Sequence, residues 1–496
     1  MFGSGHLARI THMRRADPAR PHGCKICGFL ATLRRQAWLL LVGLAALVVP
    51  TATNAQPYPV PPTWGGDSLS RPRLTGDWDG LRDELGKKGV VLDVDLLLTP
   101  QANMSGGRST GGNLWGNVDY TLNIDTQKLG LWPGGFFKFQ ADTGFGSNIF
   151  QDVGAIVPVN TAALLPGINN RTTALTNATL MQFLSPQFGL VAGKINTVDL
   201  GVTEFYGDYS TQFMNAAFNF PMTLEQVPLS TFGGGVIGIP REDILLSALV
   251  LGPNGTTTSD SVSQAFDGSV LVLGSAQLTV KPFGLVGHQS VSFSWNDMRR
   301  FSLTQDPTNL ATLLLQTRFP RLANPGPVLE AVLGARFPNL LVPAQPPNHS
   351  ESSWAMSYAF DQYFWQPGDD PKHGLGVFFG FGASDGNPNP VKYAFLTGLG
   401  GKGVVPGHPD DSFGIGLART QFSNAFVPFL RQQFNLGLQH EDAIEMYYNI
   451  SVTQWLNVTA DLQVINPGLK RALNEFGRLA NVDTAVVAGA RVRVRF

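Results

Sequence analysis

The sequence predicts an all-β fold: a closed antiparallel transmembrane β-barrel preceded by a short N-terminal helix. One observation is composition, because charged residues make up only 14% of the 496 residues, against about 25% in ordinary soluble domains. The other is periodicity, because several segments alternate apolar and polar residues over about ten positions, the length with which a tilted strand crosses a bilayer. Lipid offers no hydrogen-bond partner, so a spanning sheet must close on itself.

The first 55 residues have the features of an export signal. A pair of arginines precedes an apolar run at residues 37–49, and small residues follow as far as Ala55. The run is too short for a membrane anchor, which needs about 20 residues. We therefore expect residues 1–55 to be a signal peptide with an N-terminal extension that is removed after Ala55.

Residues 56–89 are predicted to form a proline-rich leader and one short helix. The helix is predicted over residues 76–89, with Leu81 and Leu85 on one face and Gly89 at its end. Beyond Gly89 the hydrophobic period changes to two. Residues 90–496 are therefore predicted to form the barrel.

The alternation is clear in several strands. Residues 114–124 place leucine, valine and tyrosine on one side, and asparagine, threonine and aspartate on the other. The same two-sided pattern is found at residues 90–98, 137–142, 290–295, 456–464 and 486–496. Because successive side chains of a strand point to opposite faces, one face is predicted to contact lipid and the other an aqueous lumen.

The predicted connections alternate in length, as the turns and loops of outer-membrane barrels do. Counted back from the C-terminus, the long connections 466–483 and 421–441 enclose a short turn at 453–454. Residues 366–373 form another short polar turn. The segment 297–350 is long enough to fold into the lumen.

Closure requires the first and last strands to be antiparallel neighbours. This arrangement predicts a charged seam on the lumen wall, with Asp93 and Asp95 opposite Arg491, Arg493 and Arg495. These charges are either structural groups of the wall or part of a solute path. The same two interpretations apply to the other charged residues predicted to line the lumen, Asp119, Lys138, Asp142, Glu445 and Asp461.

Three segments carry a family resemblance. Residues 74–82 read Leu-Thr-Gly-Asp-Trp-Asp-Gly-Leu-Arg, residues 402–416 contain a glycine-rich turn and a strand, and residues 445–468 are the most specific stretch. Together they resemble the carbohydrate-selective porins of the OprB type, over essentially the whole sequence after residue 55. In the first segment, Asp79 stands where glycine is usual in that family.

The resemblance implies a barrel of about sixteen strands in the outer membrane of a Gram-negative bacterium. It implies passive diffusion of glucose and related small neutral carbohydrates into the periplasm, and membrane lipid as a partner. It also implies that Phe496 is a signal for the barrel-assembly machinery. The number of subunits stays open, as do two other functions: a general or anion-preferring porin, and an outer-membrane hydrolase.

We predict no enzyme, and no catalytic, cofactor-binding or metal-binding residues. Gly382–Gly386 fits the G-x-S-x-G nucleophile pattern, but Pro388 and Pro390 follow, where that pattern requires a helix. The glycines at 398, 400 and 403 fit G-x-G-x-x-G, again without a following helix.

The remaining features also argue against metal and nucleic acid. Cys24 and Cys27 form a single C-x-x-C, which supplies two ligands where structural zinc needs four. Loss of residues 1–55 removes seven basic residues and one acidic residue, which leaves 28 basic against 35 acidic residues and a net charge of −7. This balance, without a long basic stretch, is not that of a nucleic-acid-binding protein.

Overall fold

Sixteen antiparallel strands, all within the described residues, pair in chain order and close into a barrel. The computed structural model describes residues 58, 60–167, 171–201, 203–305, 331, 347–368, 370, 372–425, 438–473 and 479–496. The barrel strands are β1 (Val90–Gly107), β2 (Gly111–Asp125), β3 (Gly135–Gly146), β4 (Thr173–Ser185), β5 (Phe188–Asn196), β6 (Ser230–Arg241), β7 (Ile244–Leu251), β8 (Leu271–Val280), β9 (Gly287–Asn296), β10 (Ser353–Trp365), β11 (Gly374–Ser384), β12 (Val391–Lys402), β13 (Ser412–Phe422), β14 (His440–Thr453), β15 (Leu456–Asn466) and β16 (Asp483–Arg495). All the segments predicted from period-two patterns lie within these strands, except that the last one extends to Phe496, one residue beyond β16.

The other elements are short. Two pairs of small strands lie in the connections, Arg300–Phe301 with His349–Ser350, and Arg471–Leu473 with Leu479–Asn481. The helices are α1 (Leu81–Lys87) and α2 (Phe150–Val153), and the 3-10 helices are Thr161–Leu164, Val198–Gly201, Ala216–Phe218, Met222–Leu224 and Pro282–Gly284. In the part of the chain that is described, no helix combines the length and the apolar character needed to cross a bilayer.

The barrel closes between β1 and β16, as the sequence predicts. Asp95 is paired with Arg495 and Leu97 with Arg493, and the two strands run antiparallel. The backbone N–H of Phe496 donates to the carbonyl oxygen of Val94 at 2.8 Å, so the pairing extends to the last residue. No strand edge of the barrel is left open to lipid, which meets the requirement for a sheet in a membrane.

Alternate side chains divide between lipid and lumen. Leu92 in β1, Val291 and Phe293 in β9, and Ile415 in β13 are exposed on the outer face. The interleaved side chains point inward and many of them are polar and buried, such as Asn117 in β2. The interior of this barrel is therefore filled in large part by protein and not only by water.

The lengths of the connections between strands show which end of the barrel faces the periplasm. At one end the connections are short, at residues 126–134, 186–187, 242–243, 281–286, 366–373, 403–411 and 454–455. Longer connections dominate the other end, at residues 147–172, 197–229, 252–270, 297–352, 423–439 and 467–482. Short turns mark the periplasmic end of outer-membrane barrels, so α1 and Phe496 lie on the periplasmic side.

The helix prediction needs a correction. α1 spans only Leu81–Lys87, and its buried residues are Arg82 and Gly86, whereas Leu81 is exposed. The reason is Trp64, whose ring lies so close to Gly86 that a Cβ there would meet it at 2.5 Å. Apolar spacing alone does not reveal that a distant tryptophan covers the glycine side of the helix.

The leader before α1 is tied to that helix. Asp83 accepts hydrogen bonds from the Thr63 hydroxyl and, at 2.8 Å, from the Trp64 backbone N–H. These two hydrogen bonds lower the pKa of the Asp83 carboxyl. The leader and α1 therefore form one unit at the periplasmic end of the seam.

Candidate functional site

A connection between β5 and β6 lies inside the barrel and narrows it. We call residues 197–229, which the structure describes except for residue 202, the lumenal segment. Its two ends meet where the Thr197 N–H donates to the Leu229 carbonyl at 3.0 Å. Most of residues 212–219 in its middle are almost wholly buried. The segment is therefore packed against the wall and not loosely held in the pore.

Aromatic rings bind the lumenal segment to the wall. Phe213 stacks on Phe218 with ring centroids 4.4 Å apart, and its ring lies 4.8 Å from Tyr447 of β14 and 5.6 Å from Phe378 of β11. A further ring of the segment contacts Tyr363 of β10. Tyr363 and Tyr447 thus face the lumen.

Inward glycines in β11, β12 and β13 make room for these rings. A Cβ at Gly376 or Gly400 would lie 2.3 or 2.4 Å from the ring of Phe205, and a Cβ at Gly416 would lie 2.5 Å from Phe218. Gly400 belongs to the G-x-G-x-x-G pattern noted in the sequence. Its role here is to let an aromatic side chain approach the sheet.

Two buried charges of the wall bind the backbone of the segment. Glu445 accepts hydrogen bonds from the N–H groups of Met214 and Asn215, the latter at 3.0 Å. Arg491 donates to the carbonyl oxygens of Tyr209 at 2.8 Å and Gln212 at 2.7 Å. A hydrogen bond to a charged group contributes about 1.5–3 kcal/mol, so these four contacts hold the segment firmly.

A second polar cluster holds the part of the segment that lies nearest the periplasm. Glu204 accepts a hydrogen bond from the Tyr363 hydroxyl at 2.8 Å and pairs with Lys402 at 3.2 Å. The Glu204 N–H donates to Asp361 at 3.3 Å, and the other oxygen of Asp361 lies 2.7 Å from Nδ1 of His288. This cluster joins β9, β10 and β12 to the segment.

A second inward connection supports the first. Residues 147–167, between β3 and β4, place Val157 in the same apolar cluster as Phe213. The Thr161 N–H donates to the Met214 carbonyl at 2.8 Å, and Glu441 of β14 accepts hydrogen bonds from the backbone of Ile156 and Val157. The two connections therefore brace each other inside the barrel.

The predicted seam charges differ in their partners. Asp95 pairs with Arg493 across the seam, with Nε 3.0 Å from the carboxylate. Asp93 instead pairs with Arg73 at 2.7 Å and Arg82 at 3.0 Å, both in the segment before β1. Arg495 donates to the side chain of Asn457 at 3.1 Å.

The other predicted residues are distributed around the interior. Asp119 accepts a hydrogen bond from Gln140 at 3.1 Å, and Asp142 accepts one from the Thr176 hydroxyl. Asp461 accepts one from Gln463 at 2.9 Å. Lys138 is in register with Asn123 on β2 and Thr179 on β4.

The sequence alone does not point to the lumenal segment. It predicts residues 297–350 as the inward connection, and residues 306–330 and 332–346 of that stretch lie outside the described residues. A usable signal is present, because residues 205–220 contain six aromatic residues without period-two alternation. The inward glycines of β11–β13 are a second signal, because they leave space for these aromatic side chains.

The fold and its interior define a class of protein: a channel-forming β-barrel of the Gram-negative outer membrane. Among the described residues, no group of three or more His, Cys, Asp or Glu side chains is placed to hold a metal ion. The family model of the carbohydrate-selective porins, OprB family, matches residues 111–496. The chain belongs to this family. The segment at residues 74–82 lies before the matched range.

Individual relatives agree in fold. The high pH structure of OprB from Pseudomonas putida superimposes with a TM-score of 0.68 at 20% identity, covering 86% of this chain and 99% of that chain. The low pH structure of the same protein gives 0.51 at 16% identity, covering 87% and 100%. Porin B from Pseudomonas aeruginosa is 28% identical over 141 residues, which span 26% of this chain and only 29% of that relative.

Proposed function

We propose that this protein is an outer-membrane porin for passive, sugar-selective diffusion of small neutral carbohydrates such as glucose. The observation that carries the proposal is charge pairing in a narrowed lumen. Arg493 is paired with Asp95, and Lys402 is paired with Glu204. Because each pair nearly cancels its own field, a neutral solute gains hydrogen-bond partners without strong competition from ions.

The same observation weighs against the other functions. A general or anion-preferring porin would present unbalanced charge of one sign to the solute, whereas Arg493 and Lys402 of this wall each lie beside a carboxylate. For a hydrolase, a serine, a histidine and an acid would have to meet in one constellation. The family and the fold are those of a channel, and we propose that the protein has no catalytic activity.

The domain organisation and the other partners are part of the proposal. Residues 1–55 would be removed on export, residues 56–89 would form the periplasmic leader and helix, and Phe496 would be read by the barrel-assembly machinery. The ten predicted wall charges would act mainly by shaping the lumen. Their proposed role in solute passage is indirect where, as for Glu445 and Arg491, they bind the lumenal segment.

Solute selectivity tests the proposed function directly. We expect liposomes containing the purified protein to swell faster with glucose than with glucosamine or glucuronate, which have similar size but opposite charges. Faster entry of glucuronate would instead support an anion-preferring porin. Absence of swelling with all three solutes, in a sample that is folded by circular dichroism, would contradict a diffusion channel.

Charge reversal at the seam tests whether the paired charges set ion selectivity. Arg493→Glu leaves Asp95 beside a second carboxylate, so the lumen gains negative charge and we expect a shift toward cations. The measurement is the reversal potential of the channel in a salt gradient. The double variant Asp95→Arg, Arg493→Glu restores the pair and should return selectivity to that of the natural protein. An unchanged potential in the single variant would show that this pair does not face the ion path.

A further inference from the structure

Polar side chains form cross-strand pairs along the inner faces of β8 and β9. The register places three pairs of residues directly opposite each other. We call these six residues the polar ladder, and they are Ser275 with Ser292, Gln277 with Ser290, and Thr279 with His288. All six side chains are partly exposed. The ladder runs from the middle of the barrel to its periplasmic end.

Contacts at both ends show that this face points into the lumen. Beyond Ser292, on the same face of β9, Ser294 accepts a hydrogen bond from Gln226 of the lumenal segment at 2.9 Å. At the other end, His288 contacts Asp361, which also binds the segment through Glu204. The alternate residues of β9, such as Val291 and Phe293, are exposed on the lipid side.

The ladder begins where an apolar part of the wall ends. Leu249 and Leu273 are buried in an inward apolar cluster against which Val227 of the lumenal segment packs. The next inward residues toward the periplasm are Ser247 and Ser275, whose hydroxyls are 2.7 Å apart. The segment therefore covers the apolar wall, while the polar wall below it keeps access to the lumen.

We propose that the polar ladder is a binding track for the hydroxyl groups of neutral sugars as they leave the narrowed part of the channel. This inference rests on the proposed function. Successive inward residues of a strand are about 6.7 Å apart, so the steps are close enough for a sugar to contact one before it leaves another. Hydroxyl and amide groups both donate and accept hydrogen bonds, and several weak sites allow passage where one tight site would trap the solute.

Paired substitutions that differ only in the hydroxyl group test the ladder. Ser290→Val with Ser292→Val removes two hydroxyls, whereas Ser290→Thr with Ser292→Thr adds the same bulk and keeps them. We expect the valine pair to slow glucose entry into proteoliposomes about three-fold to ten-fold relative to the threonine pair, at glucose concentrations far below saturation. The potassium chloride conductance of the two pairs should be equal, because their volumes match.

The outcomes separate the ladder from the function on which it rests. Equal glucose entry through the valine and threonine pairs, with normal entry through the natural protein, would overturn the ladder and leave the sugar channel standing. An equal fall in glucose entry and in conductance in both pairs would show a steric effect and would also overturn it. If the natural protein itself did not admit glucose, the proposed function would fail, and the ladder with it.

Discussion

Replacing Glu445 by leucine is expected to raise single-channel conductance and to admit larger sugars. The substitution removes both acceptors for the Met214 and Asn215 N–H groups, which would then be buried without partners. Two hydrogen bonds to a charged group are together worth about 3–6 kcal/mol, so their loss weakens the attachment of the segment to the wall. We therefore expect the lumenal segment to leave the wall and the lumen to widen. Planar-bilayer recording and liposome swelling with a trisaccharide measure the two effects.

A second variant is expected to displace the same segment without changing a charged residue. Gly400→Val places branched carbon atoms where the Phe205 ring now lies, and overpacking of this kind costs about 1–3 kcal/mol. The matched control is Gly274→Ala, because an added Cβ at that position has no neighbour closer than 3.9 Å. If folded Glu445→Leu and Gly400→Val both kept the natural conductance, the segment would not be what narrows the channel.

Replacing Arg82 by methionine is expected to weaken closure of the barrel. Its Nη2 donates to Asp93 at 3.0 Å and to the Leu92 carbonyl at 2.7 Å, both in β1, and to the Phe496 carbonyl at 3.0 Å. One guanidinium thus joins the two strands that meet at the seam. Breaking a buried ion pair costs about 3–5 kcal/mol, because the remaining charge loses its partner. Here Arg73 still pairs with Asp93, so we expect the lower part of that range.

The effect is measured as the temperature at which the folded form, seen by electrophoresis in mild detergent, converts to the unfolded form. We expect a clear fall for Arg82→Met. Lys87→Met is the control, since Lys87 is an exposed cation on the same helix. An equal conversion temperature for Arg82→Met and the natural protein would mean that α1 does not stabilise the seam.

The sequence alone determined the barrel and the pairing of its ends. Period-two alternation is a local property of each strand, and the absence of hydrogen-bond partners in lipid turns a set of such strands into a closed sheet. The pairing of Asp95 with Arg493 followed from the same reasoning, because closure makes the first and last strands neighbours. These inferences need no knowledge of how distant segments pack.

The tertiary structure alone decided what occupies the lumen. Glu445 and Arg491 are charged residues of the wall, and their partners are backbone groups of residues 209–215, more than 200 positions away. Asp93 likewise forms ion pairs with Arg73 and Arg82 and not with the seam arginines, because the leader folds back over the end of β1. An irregular segment has no period that reports its position. Its place is set by aromatic rings and glycines on several strands, which become neighbours only when the barrel has closed.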